Sequence, residues 1–239
     1  MSKRRIIFGL CGLAVGFFVA FTWTRSYNNN AMVAEKEPQA STTGAGAQGA
    51  TAGQQAGMAS VRDTIERAKN NPNDFEAQVS AARLFDQIGR VKEEIPFLEQ
   101  AYKADGNQAV SMNIPPYLAE FYSSEKDYQN AEKWYRVQLD AKPNDQEIAI
   151  ELGATFIDRE PPNPDKAIDY LQSVLKNSPT NAHALVHLTQ AYLEKKDVRK
   201  AEDSLARAKQ ADPANKLIPD LEKQLNALKT GQQVVVPKE

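Results

Sequence analysis

The chain has 239 residues, room for one or two domains, and 29 basic against 31 acidic side chains. Residues 1–30 carry Lys3, Arg4, Arg5 and Arg25 and no acid, which leaves 25 basic and 31 acidic residues after them. That acidic balance argues against nucleic-acid binding, where clustered Lys and Arg neutralise phosphates, and the single cysteine, Cys11, excludes an intrachain disulfide.

The first predicted element is a membrane span. Ile6 to Trp23, IIFGLCGLAVGFFVAFTW, is an uncharged, mostly apolar run that follows the basic cluster MSKRR. As a helix it reaches roughly 27 Å, against about 30 Å of hydrocarbon in a bilayer. Trp23 and Tyr27 suit the far interface, and the charge asymmetry predicts a cytoplasmic N-terminus with the rest of the chain outside. The run ends in Phe21, Thr22, Trp23 and Thr24, a poor cleavage site for a signal peptide. Residues 1–25 are therefore expected to form a cytoplasmic stub and anchor. Residues 26–57 are rich in Gly, Ala, Gln, Ser and Thr and predict a disordered linker.

From 58 to 229 apolar residues recur at three- and four-residue spacing, as in Leu185, Leu188 and Tyr192, which predicts an all-α domain. Breaks rich in Asn, Asp and Pro punctuate it. Pro72, Gly106, Pro143, Pro179 and Pro213 lie 34, 37, 36 and 34 residues apart. Phe85, Tyr122, Phe156 and Tyr192 keep step at 37, 34 and 36. A period near 34 with two helices per unit is a repeat signature. Pro115 and Pro116 suit an opening helical turn, whereas Pro96 predicts a late start near Glu93 or a kink.

The unit resembles a tetratricopeptide repeat. Residues 182–215 carry the pattern through Leu188, Thr189, Tyr192, Ala201, Leu205, Ala208 and Pro213. Residues 146–181 carry it through Leu152, Gly153, Phe156, Ala167, Leu171 and Pro179, with an insertion at EPPNP. Residues 112–145 do so through Leu118, Ala119, Tyr122, Ala131, Tyr135 and Pro143. In residues 75–108, Ala82, Phe85, Leu98 and Ala101 fit, but Glu94 stands where the pattern has Ala. The resemblance implies a right-handed α-solenoid of stacked helix pairs, begun by the segment from Met58 and closed by a capping helix over 216–229. Residues 230–239 are expected to be a disordered tail.

Nothing in the sequence points to catalysis or to a cofactor. His183 and His187, the only histidines, stand at i and i+4 on one helix. That spacing can hold a metal only if further ligands converge. None is evident in the sequence, and no metal site is expected; they are read as two histidines on a helix surface. The resemblance implies instead a concave groove lined by the first helix of each unit. On this chain its positions include Val79, Arg83, Asp86, Glu120, Glu147, Ile150, Ile157, Val186, Gln190 and Leu193. The alternative is that the apolar ones pack against neighbouring helices. A mildly acidic, partly apolar groove suits a protein segment with basic and apolar residues. With its single span the chain is similar to bacterial envelope tetratricopeptide proteins. That implies a bacterial inner-membrane protein, its repeat domain periplasmic, serving as a scaffold, chaperone or cytochrome-maturation factor. A fixed structural subunit of a larger membrane complex is the alternative.

Overall fold

A computed structural model describes residues 52–231, and among them there are eleven helices and no strand. None of these helices is long and apolar enough to cross a membrane. The expected span at Ile6–Trp23, residues 26–51 of the expected linker and the tail from 232 onward lie outside the described residues. The described chain divides into two compact bodies, with the boundary between Ile114 and Pro115.

The N-terminal body holds α1 (Ala52–Asn70), α2 (Phe75–Gln87), α3 (Val91–Ala104) and α4 (Gly106–Ser111). Helix α1 opens six residues inside the stretch read as linker, because Ala52, Gln54, Gln55 and Ala56 are good helix formers. Ala68 of α1 packs with Ala77 and Ala81 of α2, and Phe97 closes over them. Gln78, 2% exposed, seals this contact by donating to the Ala68 carbonyl at 2.6 Å and to that of Asn71 at 3.2 Å. Helix α3 starts at Val91 and runs through Pro96, so the proline does not delay it. The ring removes one intrahelical bond, and Ile95 and Leu98, both buried, hold the helix on α2, with Phe97 stacked on Phe85 at 5.6 Å. Helix α4 forms where the sequence suggested only a break, because the Asp105 carboxylate accepts from the Gln108 backbone N–H and caps it.

The C-terminal body holds α5 (Ile114–Ser124), α6 (Tyr128–Ala141), α7 (Gln146–Asp158), α8 (Pro164–Asn177), α9 (Ala182–Glu194), α10 (Val198–Ala211) and α11 (Ile218–Thr230). Pro115 and Pro116 sit in the first turn of α5, where an absent N–H removes no intrahelical bond. The Asn/Asp-rich breaks are caps. Asp127, Asp145, Asn163, Asn181 and Asp197 each accept from the backbone N–H three residues on. Each such cap contributes about 1 kcal/mol.

Small residues mark the helix crossings. Ala167 and Ala201 are fully buried, and Gly153 lies so close to α8 that a Cβ there would stand 3.0 Å from Leu171 Cγ. Thr189 occupies the equivalent position in the next unit, donating to the Leu185 carbonyl at 2.8 Å and lying 3.0 Å from Ser204 Oγ. Phe156, 0% exposed, stacks on Tyr170 with centroids 5.9 Å apart. Helix α11 closes the body with Ile218, Leu221 and Leu225 buried, and ends at Gly231 with φ of 67°.

Candidate functional site

The site arises from the repeat itself. Helices α7 and α9 open successive units and pack directly on one another. Glu147 and Glu151 are i, i+4 on α7, and His183 and His187 are i, i+4 on α9, each histidine 36 residues after its glutamate. Residues four apart share a helix face, so equal repeat positions bring the two pairs together. Glu147 Oε1 lies 2.9 Å from His183 Nδ1, and Glu151 Oε1 lies 3.8 Å from His183 Nε2. His187 Nε2 is 3.0 Å from His183 Nε2, and the two rings are 4.8 Å apart. On its other side, His187 Nδ1 meets Gln190 Oε1 at 2.7 Å. Oxygen donors from Glu147 and Glu151 and a nitrogen of His183 fall within 4.8 Å of one another.

The electrostatics follow from burial. His187, only 6% exposed, is pushed down to about 3 by desolvation and by the neighbouring His183, so it stays neutral. Burial also pulls His183 down, but the Glu147 hydrogen bond and the charges of Glu151 and Glu147 outweigh it and its pKa is raised. The same hydrogen bond lowers Glu147. Burial raises Glu151 to about 7, against the pull of His183. Glu120 of α5 rises to about 8 through burial and the Glu151 charge. The phenol of Tyr135, 2% exposed, is pushed well up by burial and then by Glu151, Glu120 and Glu147. The three carboxylates therefore all act on the buried Tyr135 phenol of α6.

The expected groove residues divide by burial. Val79, Ile150 and Val186 are 1%, 0% and 1% exposed and belong to the core, which is the packing alternative raised by the sequence. Ile157 is buried at 9%. Gln190, Leu193 and Glu120 are half-buried and Glu147 is exposed. Arg83 and Asp86, in the N-terminal body, are half-buried, and burial raises the Asp86 carboxyl. The histidines are not a surface pair, because His187 is buried and His183 half-buried against α7. Glu151 and His187 were missed as site residues because the family pattern assigns groove positions by number, and these two fall between them.

A tetratricopeptide-repeat model matches residues 163–225 and a second matches residues 118–149. No curated protein sequence matches this chain. Among solved structures the chain is similar to MamA, at 17% identity and a TM-score of 0.49, covering 70% of this chain and 97% of that one. It is similar to YrrB, described as a TPR protein with an unusual peptide-binding site, at 16% identity and 0.45, covering 67% and 97%. It is also similar to the TPR2AB domain of yeast Sti1 in complex with pHSP90, at 13% and 0.44, covering 73% and 79%.

Proposed function

We propose that this protein is a membrane-anchored interaction module. Its repeats form a right-handed solenoid on the extracytoplasmic side of a bacterial inner membrane and bind a partner protein segment bearing basic and apolar residues. The observation that carries the proposal is the convergence of Glu120, Glu147 and Glu151 on one region of the C-terminal body. Glu147 is lowered and stays ionised, and a partner cation placed beside Glu120 and Glu151, both raised by burial, would draw off their protons and gain the ion pairs in a poorly solvated site. Half-buried Leu193 and Gln190 of α9 supply apolar and hydrogen-bonding surface. Anchoring rests on Ile6–Trp23 and the basic residues before it. The bound protein acts as a client or as the second member of a scaffold.

Binding of short basic-apolar peptides to the purified full chain, followed by fluorescence anisotropy with chelator present, tests the reading. Affinity should fall with added salt. Glu147→Lys, on an exposed position, should weaken binding at least tenfold without loss of helical circular dichroism. Unchanged affinity in that variant defeats the assignment. A periplasm-dependent reporter fused after Glu239 should be active; a silent one overturns the topology.

A further inference from the structure

We infer that Glu151, His183 and His187 form a binding site for a divalent transition-metal ion of the zinc class, with Glu147 and Gln190 orienting the two imidazoles. The argument starts from proton positions. A carboxylate can only accept, so the 2.9 Å contact to Glu147 puts the proton of His183 on Nδ1. An amide oxygen can only accept, so the 2.7 Å contact to Gln190 does the same for His187. Both Nε2 atoms are then bare when the rings are neutral, and they face each other at 3.0 Å. Two lone pairs at that distance repel unless a cation lies between them.

A proton bridging the two nitrogens is the first alternative. It satisfies that one pair and leaves the Glu151 carboxylate 3.8 Å from His183 Nε2, beyond hydrogen-bond reach. A metal ion serves all three donors. Zinc sits about 2.0–2.2 Å from imidazole nitrogen and carboxylate oxygen, which separates tetrahedral ligand atoms by roughly 3.4 Å. Measured from His183 Nε2, the 3.0 Å to His187 and the 3.8 Å to Glu151 bracket that value, and ion binding draws the Glu151 carboxylate towards His187. Two imidazoles and one carboxylate suit zinc and its neighbours rather than magnesium or calcium. The outer contacts have the arrangement that metal-binding histidines use, in which the second ring N–H donates to a carboxylate or an amide oxygen and fixes ring orientation. His187 is a polar side chain 94% withdrawn from solvent whose Nε2 points into this space, an observation independent of the carboxylates. The inference goes beyond peptide binding and is tested without peptide.

Untagged full-length protein, stripped with chelator, is titrated with Zn2+ by isothermal calorimetry. One ion per chain is expected, with micromolar or tighter affinity. His183→Gln and Glu151→Gln should each weaken it at least a hundredfold, and Glu147→Gln, an orienting residue, by about tenfold to a hundredfold. X-ray absorption on the zinc-loaded wild type supplies a readout that does not depend on variants folding, and should show two imidazoles in the first shell. No saturable binding, affinity unchanged in His183→Gln, or fewer than two imidazoles overturns the site. The first of these outcomes leaves the bridging proton as the occupant.

Discussion

Replacing Glu120 with Gln should stabilise the protein, and only at neutral to alkaline pH. Glu120 is half-buried on α5, and burial together with the Glu151 charge raises its carboxyl to about 8. Its ordinary value, kept in the unfolded chain, is near 4.5. A carboxyl raised on folding holds a proton that the unfolded chain has released. Its contribution is complete below about pH 4.5 and is lost as pH rises towards 8. The limiting slope is about 1.4 kcal/mol per pH unit. Applied across the whole window it gives an upper bound of about 5 kcal/mol. Water reaches part of this carboxylate, and we expect about 2 kcal/mol. Gln keeps the shape and carries no charge. Urea unfolding of both proteins, followed by circular dichroism at pH 5, 6.5 and 8, measures the difference, and titrations common to both cancel. The two should agree at pH 5, and E120Q should exceed wild type by about 2 kcal/mol at pH 8. An equal difference at every pH refutes the argument, because it would show that the effect of the substitution is packing and not charge.

Three further substitutions test the scaffold by the same unfolding assay. Phe156→Ala removes a fully buried ring stacked on Tyr170 and should cost about 3–5 kcal/mol. Asn181→Ala removes the cap on the Ala184 N–H and should cost about 1 kcal/mol, whereas Asn181→Asp should be nearly neutral. Gly153→Ala gains about 1 kcal/mol of helix propensity but presses at 3.0 Å on Leu171, which is 0% exposed, an overpacking worth about 1–3 kcal/mol. The net should be a loss of about 1 kcal/mol, and in a Leu171→Ala background the same Gly153→Ala change should cost less.

The helix pairs were legible because every rule that builds them is local. Asp127, Asp145, Asn181 and Asp197 announce helix starts by themselves, and Leu185, Leu188 and Tyr192 announce a buried stripe. Helix α4 escaped notice because Gly106 opens it; the cap at Asp105, not helix propensity, decides it. Ile150 and Val186 were assigned to a groove by repeat position. Packing between α7 and α9 decides their burial, and a pattern within one unit does not contain it. The carboxylate–histidine cluster was legible in principle. Glu147 and Glu151 stand 36 residues before His183 and His187, and the repeat period itself is 36 at that point. Further ligands for the histidines were sought in neighbouring sequence, and the relevant neighbour is one repeat away.

That geometry makes a last prediction. If contact follows from equal repeat positions, the Glu147–His183 pair should survive an exchange of its members. Glu147 is half-exposed, with its side chain at 51%, so the pair is worth only about 0.5–1 kcal/mol in a double-mutant cycle with alanine. His183 is raised on folding, so its share is complete below its ordinary value near 6.5 and is lost as pH climbs through the folded value. The cycle, run with chelator present, should therefore give its full coupling near pH 6 and little at pH 9. The exchanged chain, E147H/H183E, should show coupling of the same sign and pH dependence, because α7 and α9 present those positions to each other whichever residue each carries. Coupling that vanishes on exchange would mean that the surroundings of each helix, and not the stacking of repeats, place these side chains together.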